Sequence, residues 1–245
     1  MIISRPVQYT SRVGEYRALL RALGLVELPT EAETGGPDVW TVFQAGSGRV
    51  ALHAVDAGDP LDGGAALGFE TDELDAVAGR LARASGVEVH RFARSDGKAI
   101  EAVAADGQHL FLLAPTPGQV TAEVAELAAL ALWVTPDVAG AAYVLNGLGL
   151  RGTVASDGGG WYQASADGGG LAAAHDGTEA SAQLSFEYDG DVQALQGRLE
   201  AHGIGCALVD ESYGRTLLVD RPDGGDPLWV NERQTDLYGY VALNA

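Results

Sequence analysis

Apolar residues recur at helical spacing in Val13, Tyr16, Leu19, Leu20 and Leu23, with Thr10 and Ser11 ahead of them as N-cap oxygens. Gly24 follows as a residue suited to ending that helix. The segments around it are short apolar runs bounded by turn residues, which predicts strands. A short strand precedes the helix, a loop rich in Gly, Pro and Glu covers Thr30–Pro37, and Val39–Gln44 and Arg49–Val55 form a strand pair about the Ala45–Gly48 turn. After the connector Asp56–Gly64 the order restarts. Ala65–Glu70 is a strand, Thr71 or Asp72 caps a helix with Leu74, Val77, Ala78 and Leu81 as its apolar stripe, and Gly86 closes it. Strands follow at Val87–Phe92, Ala99–Ala104 and His109–Ala114, the last two joined by Asp106-Gly107, a strong hairpin signal.

Pro115-Thr116-Pro117-Gly118 interrupts this pattern, and Thr121–Ala129 reads as a linker. Leu130–Val134 then opens a second series, with Thr135-Pro136-Asp137 as N-cap and N1 proline. Strands at Tyr162–Ala166, Leu171–His175 and Gln183–Glu187 follow, then a helix capped by Asp189, carrying Val192, Leu195 and Leu199 and ended by Gly203. Cys206–Asp210, Thr216–Asp220 and Pro227–Glu232 complete the series, with Asp223-Gly224 between the last two.

The two series are copies. Arg5–Leu25 aligns without a gap with Leu130–Leu150 at an offset of 125, with six identities in twenty-one positions, among them Thr10/Thr135 and Gly24/Gly149. Phe69-Glu70 matches Phe186-Glu187, Gly79-Arg80-Leu81 matches Gly197-Arg198-Leu199, Asp106-Gly107 matches Asp223-Gly224, and His53 matches His175. Each copy is itself two units of strand, helix and further strands, so the chain is an α+β protein of four βαβββ modules. The expected organisation is a first domain at 1–116, a linker at 117–128 and a second domain at 129–245.

Composition narrows the classes. Hydrophobic residues are 47% and charged residues 20%, as in globular domains. No window is apolar for long enough to span a bilayer, and the N-terminus lacks a secretory signal pattern, so a cytoplasmic location is expected. A single cysteine, Cys206, excludes an intrachain disulfide and a thiolate metal site. The net charge of −19, from 34 acidic and 15 basic residues, argues against a nucleic-acid partner.

Four βαβββ modules in two pairs resemble the vicinal oxygen chelate (glyoxalase/bleomycin-resistance/extradiol dioxygenase) superfamily. The helix endings LRALGL and LNGLGL and the last-strand turns ADGQHLFLLAP and RPDGGDPLWVNE carry the likeness. The resemblance implies two tandem glyoxalase-like domains whose sheets curl into cups, with the functional site in a cup. The modules would pair within each copy, or exchange between copies or chains, giving a monomer or a homodimer.

The resemblance also implies where a divalent metal would be held. Its first-strand ligands would fall near Ser4 or Arg5, Ala65 or Ala66, Leu130 and Ala182, and its last-strand Glu at Phe111 and at Leu228 or Trp229. None of these is a suitable ligand, Gln8 would serve only after a register shift, and its counterpart is Trp133. No metal or other cofactor is therefore expected.

Trp40, Phe111, Trp133, Trp161, Tyr162 and Trp229 fall on strands where they either face a cup or fill the core. His53 and His175 occupy matching positions, as ligand contacts or as strand-end residues. Glu70 and Glu187 either meet a cationic ligand or face solvent beside a helix cap. The expected ligand contacts are Trp40, His53, Phe111, Trp133, Tyr162, His175 and Trp229. The glycine runs at Gly158–Gly160 and Gly168–Gly170 lack the context of a phosphate loop and read as hairpin loops. The leading expectation is a metal-independent binding protein that sequesters an aromatic or partly cationic natural product or drug. The alternative is an enzyme of the same superfamily with atypical or absent metal ligands.

Overall fold

The computed structural model describes residues 1–29, 39–84, 86–94, 97–118, 126–211, 214–234 and 237–243. The loop expected at 30–37 and most of the expected linker lie outside them. The first module contains β1 (Ile2–Ser4), β2 (Val7–Thr10), α1 (Val13–Ala22), β3 (Val26–Glu27), β4 (Trp40–Gln44) and β5 (Arg49–Ala54). The second contains β6 (Ala65–Thr71), α2 (Leu74–Leu81), β7 (Glu88–Arg94), β8 (Gly97–Val103) and β9 (His109–Leu113). The third contains β10 (Leu127–Thr135), α3 (Val138–Leu148), β11 (Arg151–Ser156), β12 (Trp161–Ser165) and β13 (Leu171–Asp176). The fourth contains β14 (Ser181–Tyr188), α4 (Val192–Ala201), β15 (Cys206–Glu211), β16 (Gly214–Val219) and β17 (Leu228–Glu232), followed by β18 (Tyr240–Ala242).

Modules pair within each copy. One sheet runs β3-β4-β5-β2-β6-β9-β8-β7, with β1 also on β6, and the other runs β15-β16-β17-β14-β10-β13-β12-β11-β18. The first strand of the chain differs from its copy. β10 is one continuous strand, whereas the equivalent segment is broken at Arg5-Pro6 into β1 and β2, because proline offers no ladder donor.

The helix caps lie slightly downstream of the expected ones. Asp137 and Asp191 are the N-caps of α3 and α4, accepting from the amides of Gly140 and Gln193. Pro136 thus precedes the cap, and Asp189 is instead paired with Arg233. In the other two helices Arg12 and Glu73 hold the N-cap position without a side-chain capping bond. Thr10, Thr71 and Thr135 act two residues earlier, each hydroxyl accepting the amide of the N-cap residue, at 2.8, 3.1 and 3.1 Å.

The helices lie between the sheets. The apolar faces of α2 and α3 share one core with β8, β9 and β13, and those of α1 and α4 share a second with β4, β5, β16 and β17. The first module therefore packs on the fourth and the second on the third. This reciprocal arrangement explains which residues the duplication kept. Arg80 donates to the carbonyls of Gly147 and Leu148 at the end of α3 (3.1 and 2.9 Å), while Arg198 donates to Leu23 past the end of α1 (3.3 Å). Asp106 accepts from Thr135 at 2.6 Å, and its counterpart Asp223 accepts from Thr10 at 2.7 Å. Each matched residue thus binds the other copy, as in an isologous dimer interface. With the convex faces joined, the concave faces of the two sheets point away from each other. Among the described residues no helix is long and apolar enough to cross a membrane.

Candidate functional site

Strand alternation decides which side chains reach a cup. On β10, Leu127, Ala129, Ala131 and Trp133 face the interdomain cores, while Leu130, Leu132 and Val134 face the second cup. Trp133 is buried away from the cup, its Nε1 donating to Asp106 Oδ2 at 2.9 Å. Tyr162 also packs on the interdomain core and donates to Asn146 Oδ1 at 2.7 Å. Neither expected contact is therefore placed in a cup. The structure puts Trp40, His53 and Phe111 in the first cup, and His175 and Trp229 in the second.

The cups are equivalent in backbone and different in chemistry. Pairings superimpose them in register: Gly68 lies opposite Phe111 as Ser185 lies opposite Trp229, and Trp40 opposite His53 as Trp161 lies opposite His175. Glu70 and Glu187 follow at the same place, two residues beyond Gly68 and Ser185.

In the first cup Glu70 is fully buried and held between two arginines. Arg5 Nη1 donates to one carboxylate oxygen at 2.8 Å and Arg49 Nη1 to the other at 2.6 Å. Thr116 Oγ1 adds a third bond to Glu70 at 2.6 Å, and Arg49 also reaches the Thr116 carbonyl at 2.8 Å. The Arg5 guanidinium lies 5.1 Å from the centre of the Trp40 ring, within the range of a cation–π contact. His53 meets Trp40 edge-on at 5.5 Å and Tyr9 at 5.4 Å. Among the described residues the floor of this cup is occupied by the buried Arg5, Glu70 and Arg49, joined by Thr116 from the segment after β9.

In the second cup the positions of Arg5 and Arg49 are taken by Leu130 and Leu171, which face each other across β10 and β13. What remains is a cavity of about 220 Å³ lined by Trp161, Gln163, His175, Glu187, Trp229, Gln234 and neighbours. His175 sits edge-on between Trp161 and Trp229, with centroid distances of 5.9 and 5.8 Å. Its Nδ1–H donates to the Asp176 carbonyl at 2.7 Å, which leaves Nε2 of the neutral ring as an acceptor. Glu187 accepts from Gln163 Nε2 at 3.0 Å. Burial pushes its carboxyl upward; the Gln163 hydrogen bond and the charge of Arg233 oppose that shift, and Asp189 adds to it. Glu232 at the rim is held bidentately by Arg215, at 2.8 and 2.6 Å. Gln234 Nε2 is buried without a hydrogen-bond partner among the described residues, an open donor in the cavity wall.

The raised carboxyl has a consequence for stability. A group whose pKa is raised by folding contributes stability that is fully present below its unfolded pKa and lost as pH rises through the folded value. Glu187→Gln is therefore expected to raise the melting temperature at about pH 8 and change it little near pH 3.5, where wild-type Glu187 is protonated in both states. Thermal melts across that range test this, and an equal shift at both ends would contradict it.

A metal does not fit either floor. The positions at which the family resemblance places ligands hold Leu130, Ala182, Trp229, Ala66 and Phe111, none of which has a side-chain lone pair for a metal. Ser4 gives its hydroxyl to the Leu171 carbonyl at 2.6 Å, and Arg5 brings a positive charge. Gln8 points to the backbone, donating to Tyr9 and Gly64. Among the described residues no group of three or more His, Cys, Asp or Glu is placed to hold a metal ion.

No family model and no curated sequence matches the chain. Its architecture is nevertheless shared with solved structures. A catechol 2,3-dioxygenase superimposes over 95% of this chain and 87% of its own, with a TM-score of 0.62 at 16% identity. The fold is that of the vicinal oxygen chelate superfamily. The 2,3-dioxygenase LapB from Pseudomonas sp. KL28 aligns over 96% of this chain and 92% of its own, with a TM-score of 0.64 at 15% identity. A Mn(II)-bound glyoxalase from Novosphingobium aromaticivorans aligns over 94% and 80%, with a TM-score of 0.59 at 14% identity. The vicinal oxygen chelate fold is thus present here in its tandem form, with an arginine–glutamate network on the floor of one cup and a cavity in the other.

Cup-facing residues that periodicity did not single out are Gln163 and Gln234. Gln163 alternates with residues of the opposite face, and Gln234 lies beyond the last strand of the repeat, so neither carried a signal in the sequence. Trp161 and Glu187 were visible as candidates with two readings each, and the open cup holds both.

Proposed function

We propose that the second cup binds a small molecule carrying an aromatic plane and a hydrogen-bonding or cationic group, without a metal. The observation that carries this reading is the cavity itself. Two tryptophans and a histidine supply flat apolar surface, while Glu187 and Gln234 supply an acceptor and an open donor at one wall. Such a mixture of apolar lining and few directed polar groups is typical of ligand sites. The role that follows is sequestration of an aromatic natural product or drug, in the manner of the bleomycin-resistance branch of the superfamily. A net charge of −19 opposes polyanionic ligands.

The test is a thermal-shift and tryptophan-fluorescence screen with planar aromatic compounds. A ligand at 100 times its dissociation constant is expected to stabilise by about 2.7 kcal/mol. Trp229→Ala is expected to weaken that ligand by roughly tenfold or more, since an aromatic pair contributes about 0.5–1.5 kcal/mol beyond its buried area. Trp40→Ala, in the first cup, should leave affinity unchanged. Equal losses in the two variants would refute the assignment to the second cup.

One observation favours an enzymatic reading as the alternative. A half-buried carboxyl with an upward-shifted pKa beside a cavity is a candidate proton donor or acceptor. Recovery of the bound compound in altered form after incubation, with loss of that conversion in Glu187→Gln, would decide for the enzyme.

A further inference from the structure

The first cup describes the ligand of the second. In the first cup a planar cation, the Arg5 guanidinium, sits on the indole of Trp40 and donates to Glu70 at 2.8 Å. In the second cup the indole and the carboxylate are both kept, as Trp161 and Glu187, at the same register positions. The arginine is gone, replaced by Leu130, and the second arginine that saturates the carboxylate is replaced by Leu171. The carboxylate that meets three hydrogen-bond donors from Arg5, Arg49 and Thr116 in one copy meets one, Gln163, in the other.

From this we infer that the second cup takes a planar cation of the guanidinium or amidinium class, lying between Trp161 and Glu187 where Arg5 lies in the first cup. The inference rests on the second cup being a ligand site, as proposed above. A planar fork of N–H donors suits a carboxylate bidentately and stacks on an aromatic face, which a tetrahedral ammonium does less well. Trp229 and His175 close the remaining sides of the cavity against an aryl or alkyl substituent.

The test uses benzamidine, phenylguanidine and neutral benzamide as probes on the full chain, with affinity read by calorimetry or tryptophan fluorescence near neutral pH. Benzamidine and phenylguanidine are expected to bind at least tenfold more tightly than benzamide, and Glu187→Gln is expected to remove that preference. Leu130→Arg, which installs the arginine of the first cup, is expected to abolish binding of the cations while near-ultraviolet circular dichroism remains that of a folded protein. Should that variant not fold, the loss of preference in Glu187→Gln carries the test alone. Equal affinity for benzamidine and benzamide would overturn the cation inference and leave the cup as a binding site. Absence of binding by all three probes at millimolar concentration, and in the aromatic screen, would overturn the reading on which the inference rests.

Discussion

Replacing Gly48 by alanine is expected to lower stability by about 3 kcal/mol, from roughly 1–2 kcal/mol for a left-handed backbone and a further 1–3 for a contact that cannot relax. Gly48 has φ of +77°, and a Cβ there would stand 2.6 Å from Gly170 Cα and 3.0 Å from the Ser4 carbonyl oxygen. Both obstacles are backbone, so no rotamer change relieves them. They are also fixed from both sides. Ser47 bonds to Leu127 and Ala129 on β10 through its backbone, and its hydroxyl accepts the Gly170 amide at 2.8 Å. The Ser4 amide donates to Gly169 at 2.9 Å. The β4–β5 turn is thus a seam between the copies, and opening it separates the convex faces that bury both cores. Gly58 is the control, with φ of +86° and nothing within 4 Å of the point where a Cβ would stand. Gly58→Ala should lose only about 1–2 kcal/mol. Urea unfolding of the two variants measures the difference, and equal losses would remove the close approach as the cause. For a chain of this size 3 kcal/mol corresponds to a fall in melting temperature of roughly 6–12 °C.

The seam and the cups were legible in the sequence to different degrees. The four modules could be read because each strand and helix carries its own apolar period and the copies reinforce one another, so that β4, β5, β6 and β13 fall within a residue or so of their expected limits. Three strands escaped. β3 is only two residues long, β11 mixes Arg, Gly and Thr with two apolar residues, and β18 lies outside the repeat. β10 opens at Leu127, inside the segment expected to be linker, where its first residues are held by the Ser47 turn of the other copy. Trp133 was expected in a cup because the family resemblance places its strand on a cup floor, and LAALALWV, apolar throughout, offers no correction. A strand covered on both faces loses the alternation that would tell one side from the other, and a one-residue change in parity moves a side chain through the sheet. The repeated Arg80/Arg198 and Asp106/Asp223 identities were visible as a pattern with no reason attached. Their reason is the contact between copies, which no local period encodes. The ion network of the first cup was beyond reach for the same cause, since Arg5, Arg49 and Glu70 meet only once β2, β5 and β6 are aligned.

Glu70→Gln is expected to destabilise by about 3–5 kcal/mol, the usual loss when one member of a buried ion network is removed and its partners stay charged. Arg5 is 2% exposed and Arg49 10%, so both guanidiniums would remain in the protein without the negative charge that balances them. The same substitution at the duplicated position has the opposite sign. Glu187 has no arginine donating to it among the described residues, and its neutralisation removes a charge that burial disfavours. The pair of variants separates two explanations of the network. If Arg5, Glu70 and Arg49 are held for their mutual attraction alone, replacing the two arginines by the leucines of the open cup, and Glu70 by leucine as well, should also be costly. A buried triad is more often neutral when exchanged whole for well-packed apolar groups. Arg5→Leu/Arg49→Leu/Glu70→Leu is therefore expected to recover most of the 3–5 kcal/mol lost in Glu70→Gln. Chemical denaturation of the three variants at about pH 7.5, in the region where carboxylates are ionised, gives the comparison. A triple variant less stable than Glu70→Gln would show that the network contributes net attraction beyond satisfying its own charges. Recovery would mean that the network satisfies its own buried charges without adding net stability to the fold.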